Sequence, residues 1–132
     1  MFNFFKQVKG LFSKNTSIGL PFEQGVIVKI QDNFSVLEFQ DGGVLHLQSN
    51  FEFFYDGREF SYNNLDQELV VFFTEHSLDK RVTLVERLEE GYLRIHLESG
   101  LVFSIEEGPF ESWSYTHEAQ NIYIEGKKNT CW

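Results

Sequence analysis

The residues that could do chemistry in this chain are scattered along it. A hydrolytic triad needs a reactive Ser or Cys beside a His and a carboxylate, but there is no Gly-x-Ser-x-Gly elbow, and the single cysteine, Cys131, is the second-to-last residue. No histidine lies three or four residues from another, the spacing that lets two side chains on one helix face share a metal. We therefore predict no catalytic residue, no cofactor and no metal site. The histidines are His46, His76, His96 and His117.

Two acidic pairs, Glu89-Glu90 and Glu106-Glu107, could in principle serve a glycosidase or bind Mg²⁺ or Ca²⁺. Neighbouring strand residues point to opposite faces, however, so neither pair can chelate as a unit. No Gly-x-Gly-x-x-Gly or Walker pattern offers a phosphate cradle. These observations predict a protein that binds a partner and is not an enzyme.

The composition indicates the kind of partner. The chain has 132 residues, a formal net charge of -9 and an aromatic share of 17%. Acidic balance disfavours nucleic acid and anionic membranes and favours a basic partner. The acidity is concentrated after Phe22, where the chain contains 8 basic and 20 acidic residues. Aromatic residues favour strands and contact surfaces.

Cysteine usage and hydropathy bear on location. One cysteine cannot form an internal disulfide, so a reducing compartment fits. The longest apolar run, Leu69 to Phe73, is too short to cross a bilayer, and the first residues lack a continuous signal-peptide core. We expect a cytoplasmic protein without membrane contact.

The pattern of the chain predicts one domain over 1–132, of the α+β class and mostly β. Within residues 1–20, a segment at 2–13 has helical apolar spacing, while Lys6, Lys9 and the following Lys14 lie away from the apolar positions. It could anchor to a membrane surface or lie against the sheet, and its short length favours the sheet.

A hairpin pattern occurs twice, and its turn glycines are Gly42 and Gly100. Without a gap, the alignment places Ile27 on Val85 and continues through both later strands. It predicts an antiparallel sheet or sheets built from two duplicated three-strand meanders, in pseudo-repeats at 22–55 and 81–115. The side chains of Leu37, Phe39, Ile95 and Leu97 should be buried together.

The segment between the repeats, residues 65–77, fits either a helix or a buried strand. Asn64 and Gln67 resemble a capping box, and the acidic side chains of Asp66 and Glu68 suit a helix start, which favours a connecting helix. The run Val70 to Phe73 is typical of a strand. Short strands are predicted at 111–115 and 122–125, with a tail at 126–132.

Two aromatic clusters, Phe51–Tyr55 and Trp113–Tyr115, are the strongest contact candidates. Alternation sends Phe51, Phe53 and Tyr55 to one face of a strand and Phe54 to the other. The excess of rings could be buried under a helix or could form an exposed binding patch.

The twin hairpins, followed by Phe110-Glu111-Ser112-Trp113, resemble a group of small bacterial immunity proteins of polymorphic or contact-dependent growth-inhibition toxin systems. The resemblance covers roughly residues 20–115, and its most specific element is Glu-x-Trp. The chain departs from the pattern at 127–130, where Lys-Lys-Asn-Thr replaces a glycine-rich segment.

The resemblance implies a protein that neutralises a toxin domain, such as a nuclease, by stoichiometric binding. The strong acidity agrees with a basic toxin surface as the partner. The candidate contacts are an acidic rim and two aromatic anchors. A ligand- or peptide-binding adaptor is the alternative, and a pocket with few acids around it would favour that reading. The candidate contact residues are Glu98, Glu106, Glu107, Glu111, Trp113 and Tyr115.

Overall fold

The computed structural model describes residues 18–48, 51–89, 91–107 and 112–126, and in these ranges the chain is mostly β. The predicted class, α+β with a majority of antiparallel β, is confirmed. Short 3₁₀ turns lie at Tyr62–Asn64 and Glu118–Gln120. The helix predicted at 2–13 and the tail after Gly126 fall outside the described residues. The strands and the helix are β1 Ile27–Gln31, β2 Val36–Phe39, β3 Val44–Leu47, β4 Phe51–Tyr55, β5 Arg58–Ser61, α1 Gln67–Glu75, β6 Val82–Arg87, β7 Tyr92–Leu97, β8 Val102–Glu106, β9 Trp113–His117 and β10 Ile122–Gly126.

The strands form two five-stranded antiparallel sheets, and each sheet combines strands from both halves of the chain. The first sheet has the order β1-β2-β3-β9-β10, and the second has the order β5-β4-β8-β7-β6. The hairpin β4–β5 therefore leaves the meander that precedes it and pairs with β8, while β9–β10 pairs with β3. The repeat unit is thus a meander plus a hairpin, and the two units have exchanged their hairpins.

A pseudo-twofold axis passes between the two sheets at the antiparallel bridge from Val26 to Arg81. Hydrogen bonds on one side of the bridge recur on the other. The amide of Gln24 donates to the carbonyl of Val82 over 2.7 Å. Likewise, the amide of Asp79 donates to the carbonyl of Ile27 over 2.6 Å. Both donors have positive φ, 75° at Gln24 and 63° at Asp79. Such matched geometry supports the predicted duplication.

The register of the duplication differs from the ungapped alignment in the first strand. Ile27 pairs with Phe39, and Val82 pairs with Leu97, so Ile27 corresponds to Val82 and the alignment with Val85 is wrong. Both strands carry a register shift directly after this residue. The second unit has the longer turn, because seven residues separate Glu86 from Arg94 while four separate Gln31 from Val36.

One apolar core joins the inward faces of both sheets. Leu37, Phe39, Ile95 and Leu97 are all buried, as predicted. The Phe34 ring, in the turn between β1 and β2, meets the Phe53 ring of the second sheet at 5.1 Å. The fold therefore depends on contacts between the sheets as well as within them.

Helix α1 packs on the second sheet, against side chains of β4 and β5. Its Phe73 side chain is fully buried and stacks on Phe53 with ring centroids 4.6 Å apart. The helix predicted for this segment is confirmed, but its N-cap is Asp66, whose carboxylate accepts from the Leu69 amide at 2.9 Å. The cap predicted at Asn64 is wrong, because Asn64 belongs to the preceding 3₁₀ turn.

Candidate binding surface

An open cleft of about 490 Å³ lies between the start of α1 and the β4–β5 hairpin. We call it the helix–hairpin cleft. Its apolar lining comes from two elements, because β4 and β5 supply rings from one side and α1 supplies them from the other. The rings of Tyr55 and Phe72 meet edge to face with centroids 5.1 Å apart, a contact that joins the hairpin to the helix. The apolar lining consists of Tyr55, Phe60, Leu69 and Phe72.

These four apolar side chains pack against the edge of the core and are half-buried. The Phe60 ring packs on Phe73 at 5.2 Å and is only partly covered by it. Phe72 stacks on His76, one helical turn later, with ring centroids 4.0 Å apart, which restrains the Phe72 ring beside the cleft. The cleft therefore presents aromatic surface that the fold positions but does not bury.

The rim of the cleft is acidic. Asp56 stands in the two-residue turn of the β4–β5 hairpin, where Asp56 and Gly57 have φ of 53° and 77°, the positive values that such tight hairpin turns require. Asp66 and Glu68 stand at the start of α1, where negative charge is favoured by the helix dipole. All three carboxylates are exposed.

One cation, Arg58, shares this rim. Its guanidinium carbon lies 5.1 Å from the centre of the Phe60 ring, a cation–π distance. Among the described residues, Arg58 forms no salt bridge with Asp56, Asp66 or Glu68. Three carboxylates against one guanidinium leave the mouth of the cleft with a negative field.

Three of the residues predicted to contact a partner are buried, which corrects that prediction. Trp113 and Tyr115 are fully buried core aromatics on the inner face of the first sheet. Glu107 is also buried, because its carboxylate binds Arg87 at 2.8 and 2.9 Å and accepts from the Trp113 indole at 2.9 Å. These side chains hold the fold together and are not surface anchors.

The remaining predicted contacts do not form one patch. Glu98 and Glu106 are both exposed, but Glu98 lies in the β7–β8 turn and Glu106 at the far end of β8, roughly 20 Å away at the usual rise of a strand. The Glu98 carboxylate accepts from the Arg81 amide at 2.9 Å, next to the pseudo-twofold axis. Glu111 lies outside the described residues.

A second acidic group lies on the outer face of the second sheet, around Glu52. A hydrogen bond to the Glu59 side chain raises the pKa of Glu52, and burial and the charges of Glu59 and Glu106 raise it further. Arg94 opposes the shift, and its guanidinium carbon lies 4.6 Å from the centre of the Phe54 ring. Glu106 thus belongs to this outer-face group, away from the helix–hairpin cleft.

The histidines are dispersed, as the sequence indicates. The Nε2 atom of His96 lies 2.6 Å from Oε2 of the buried Glu86. The His76 ring stacks on Phe72 of α1. His117 is buried at the end of β9, with its Nε2 atom 3.7 Å from the carboxylate of Asp41. Within the described ranges, no three His, Cys, Asp or Glu side chains come close enough together to hold a metal ion.

Sequence reasoning missed the cleft as a unit. It singled out the cluster that contains Tyr55, but only Tyr55 of that cluster reaches the cleft. Phe53 is buried against Phe73 of α1, and Phe51 is buried against Tyr62. The partners of Tyr55 are Phe60 and Phe72, and they become neighbours only when helix and hairpin pack. The available signal was the Asp-Gly turn directly after an aromatic strand, followed by an acidic helix start.

Comparisons of the chain with protein-family models, with curated proteins and with solved structures gave no match. In the described part of the chain, no helix is long and apolar enough to cross a membrane.

Proposed function

We propose that this protein acts by stoichiometric binding of a basic protein, and that the partner is a toxin domain which it neutralises. The observation that carries the proposal is the helix–hairpin cleft, where aromatic side chains are held half-exposed inside a ring of carboxylates. Aromatic anchors dominate the energetics of protein interfaces, and a rim of one charge steers an oppositely charged partner.

The acidic rim favours a protein partner over a small-molecule or peptide adaptor role. A site for an apolar ligand would be expected to carry few charges at its mouth. Here three carboxylates and one guanidinium surround the aromatic side chains. The net charge of -9 extends the same sign over the whole protein.

The test is to co-express the full-length chain with the toxin domain encoded beside its own gene and to measure survival and complex formation. We expect survival and a one-to-one complex that associates more slowly as salt rises, because salt screens the rim charges. If the cells do not survive and no complex with that toxin domain forms, the proposal is refuted.

The surface is tested separately with the double variant Asp56→Asn and Glu68→Gln, which removes two rim charges and keeps side-chain shape. Association should slow by about tenfold at low salt. Glu89→Gln, which removes one charge, is the control for a charge lost elsewhere, since Glu89 is an exposed acid in the β6–β7 turn, at the other end of the second sheet. An equal effect per charge removed would mean that net charge alone, and not the cleft, governs association.

A further inference from the structure

We infer that the helix–hairpin cleft binds an arginine side chain of the partner. This inference rests on the proposed function and specifies the chemistry of its contact site. The cleft combines two surfaces that a guanidinium recognises, which are aromatic faces for stacking and carboxylates for hydrogen bonding. Its volume of about 490 Å³ can hold one long side chain with its adjoining backbone.

The protein itself places a guanidinium against the aromatic lining. Arg58 lies 5.1 Å from the centre of the Phe60 ring although no rim carboxylate holds it there by a salt bridge. The ring face is therefore a favourable position for this group without an ion pair. A partner arginine could stack on Tyr55 or Phe72 in the same manner and reach Asp56 or Glu68 with its donors.

Charge complementarity distinguishes arginine from the other occupants. An apolar side chain would bury part of the acidic rim without pairing it, which costs free energy. A lysine ammonium would satisfy the charge, but it is a strongly hydrated point charge that lacks the planar face for stacking. The cleft therefore favours arginine over lysine, and lysine over a neutral side chain.

The experiment is a titration of the full-length, ¹⁵N-labelled protein with N-acetyl-arginine amide, followed by amide and aromatic chemical shifts. We expect saturable shifts around Tyr55, Phe60 and Phe72 with a Kd of about 1 mM, as befits a ligand of this size. N-acetyl-citrulline amide has the same shape without the charge and should bind at least about tenfold more weakly. Equal binding of both probes, or shifts confined to another surface, would overturn the inference.

Variants sharpen the same titration. The double variant Asp56→Asn and Glu68→Gln should lose the difference between arginine and citrulline, while Glu89→Gln should keep it. Arg58→Ala should bind the arginine probe more tightly, because it removes a like charge and uncovers the Phe60 ring. Weaker binding by Arg58→Ala would contradict the assigned geometry.

The outcomes for the cleft and for the proposed function are separable. Arginine binding without any toxin complex would keep the cleft assignment and remove the toxin. Neutralisation that survives the double variant unchanged would keep the function and remove the cleft from it.

Discussion

The Trp113 indole donates its Nε1 hydrogen to Oε2 of Glu107, and the two atoms lie 2.9 Å apart in the interior. The same carboxylate pairs with Arg87, whose side chain is 23% exposed while that of Glu107 is 2% exposed. One carboxylate therefore links β6, the end of β8 and the start of β9, which belong to both sheets.

Arg87→Met should lower the free energy of unfolding by about 3 kcal/mol, because it leaves the buried Glu107 carboxylate without its counter-charge. Adding Glu107→Gln should restore most of that loss, since the neutral amide can still accept from Trp113. Urea denaturation of both variants measures the difference. A double variant no more stable than Arg87→Met would show that the charge of Glu107 is not the cause.

Ile95→Ala should lower the free energy of unfolding by about 2 to 5 kcal/mol, because Ile95 is a fully buried residue of β7 and the smaller side chain leaves a cavity. Val71→Ala in α1 is the control, since Val71 is 47% exposed and should change stability by no more than about 0.5 kcal/mol. Thermal or denaturant unfolding can measure both. A cost for Ile95→Ala as small as that of Val71→Ala would contradict the position of Ile95 in the core.

Gly43→Ala should be destabilising by about 1 to 3 kcal/mol, because an added Cβ would stand 2.1 Å from the hydroxyl of Tyr115. In the other repeat, Leu101 occupies the position of Gly43, and Phe53, which has no hydroxyl, occupies the position of Tyr115. The glycine therefore occurs in the repeat whose ring carries the hydroxyl. Tyr115→Phe in the Gly43→Ala background should recover part of the loss, as unfolding curves of the two variants would show. Complete independence of the two substitutions would argue against this contact.

Glu52→Gln should stabilise the protein at neutral pH by about 0.2 to 1 kcal/mol, as expected when like charges on one sheet face are relieved. Folding raises the pKa of Glu52 above its usual 4.5, so the folded protein binds a proton there more tightly than the unfolded chain does. The free energy of unfolding therefore declines as the pH rises from 4.5 through the pKa of the folded state. The advantage of the variant should vanish well below pH 4.5, where wild-type Glu52 is protonated in both states.

Denaturation of Glu52→Gln and wild type across the acid range checks this difference, and Glu89→Gln serves as the control for a lost charge elsewhere. A stability difference that does not depend on pH would mean that the charges of Glu59 and Glu106 do not act on Glu52.

Local pattern predicted much of the fold. Alternation around Leu37 and Ile95 identified the meanders, and Gly42 and Gly100 marked their turns. The ungapped register failed in the first strand because the turn after β6 is longer, and alternation alone does not reveal turn length. The hairpin exchange was also missed, since which strand pairs with β3 is decided by contacts far apart in sequence.

The site was harder to predict for the same reason. The burial of Trp113 and Tyr115 depends on the exchange that places β9 beside β3. The cleft arises where Phe72 of α1 meets Tyr55 of β4, and no single segment contains it. Aromatic residues in a strand indicate a contact, and for Trp113 and Tyr115 that contact is with the protein's own core.

The exchanged hairpins also impose an order on the assembly of the two sheets during synthesis. The second sheet is built from β4 to β8, so it can close once residue 106 has left the ribosome. The first sheet must wait for β9 and β10, and until then β3 is an open edge that could pair with another chain. Nascent chains stalled between β8 and β9 should therefore be the forms most dependent on a chaperone.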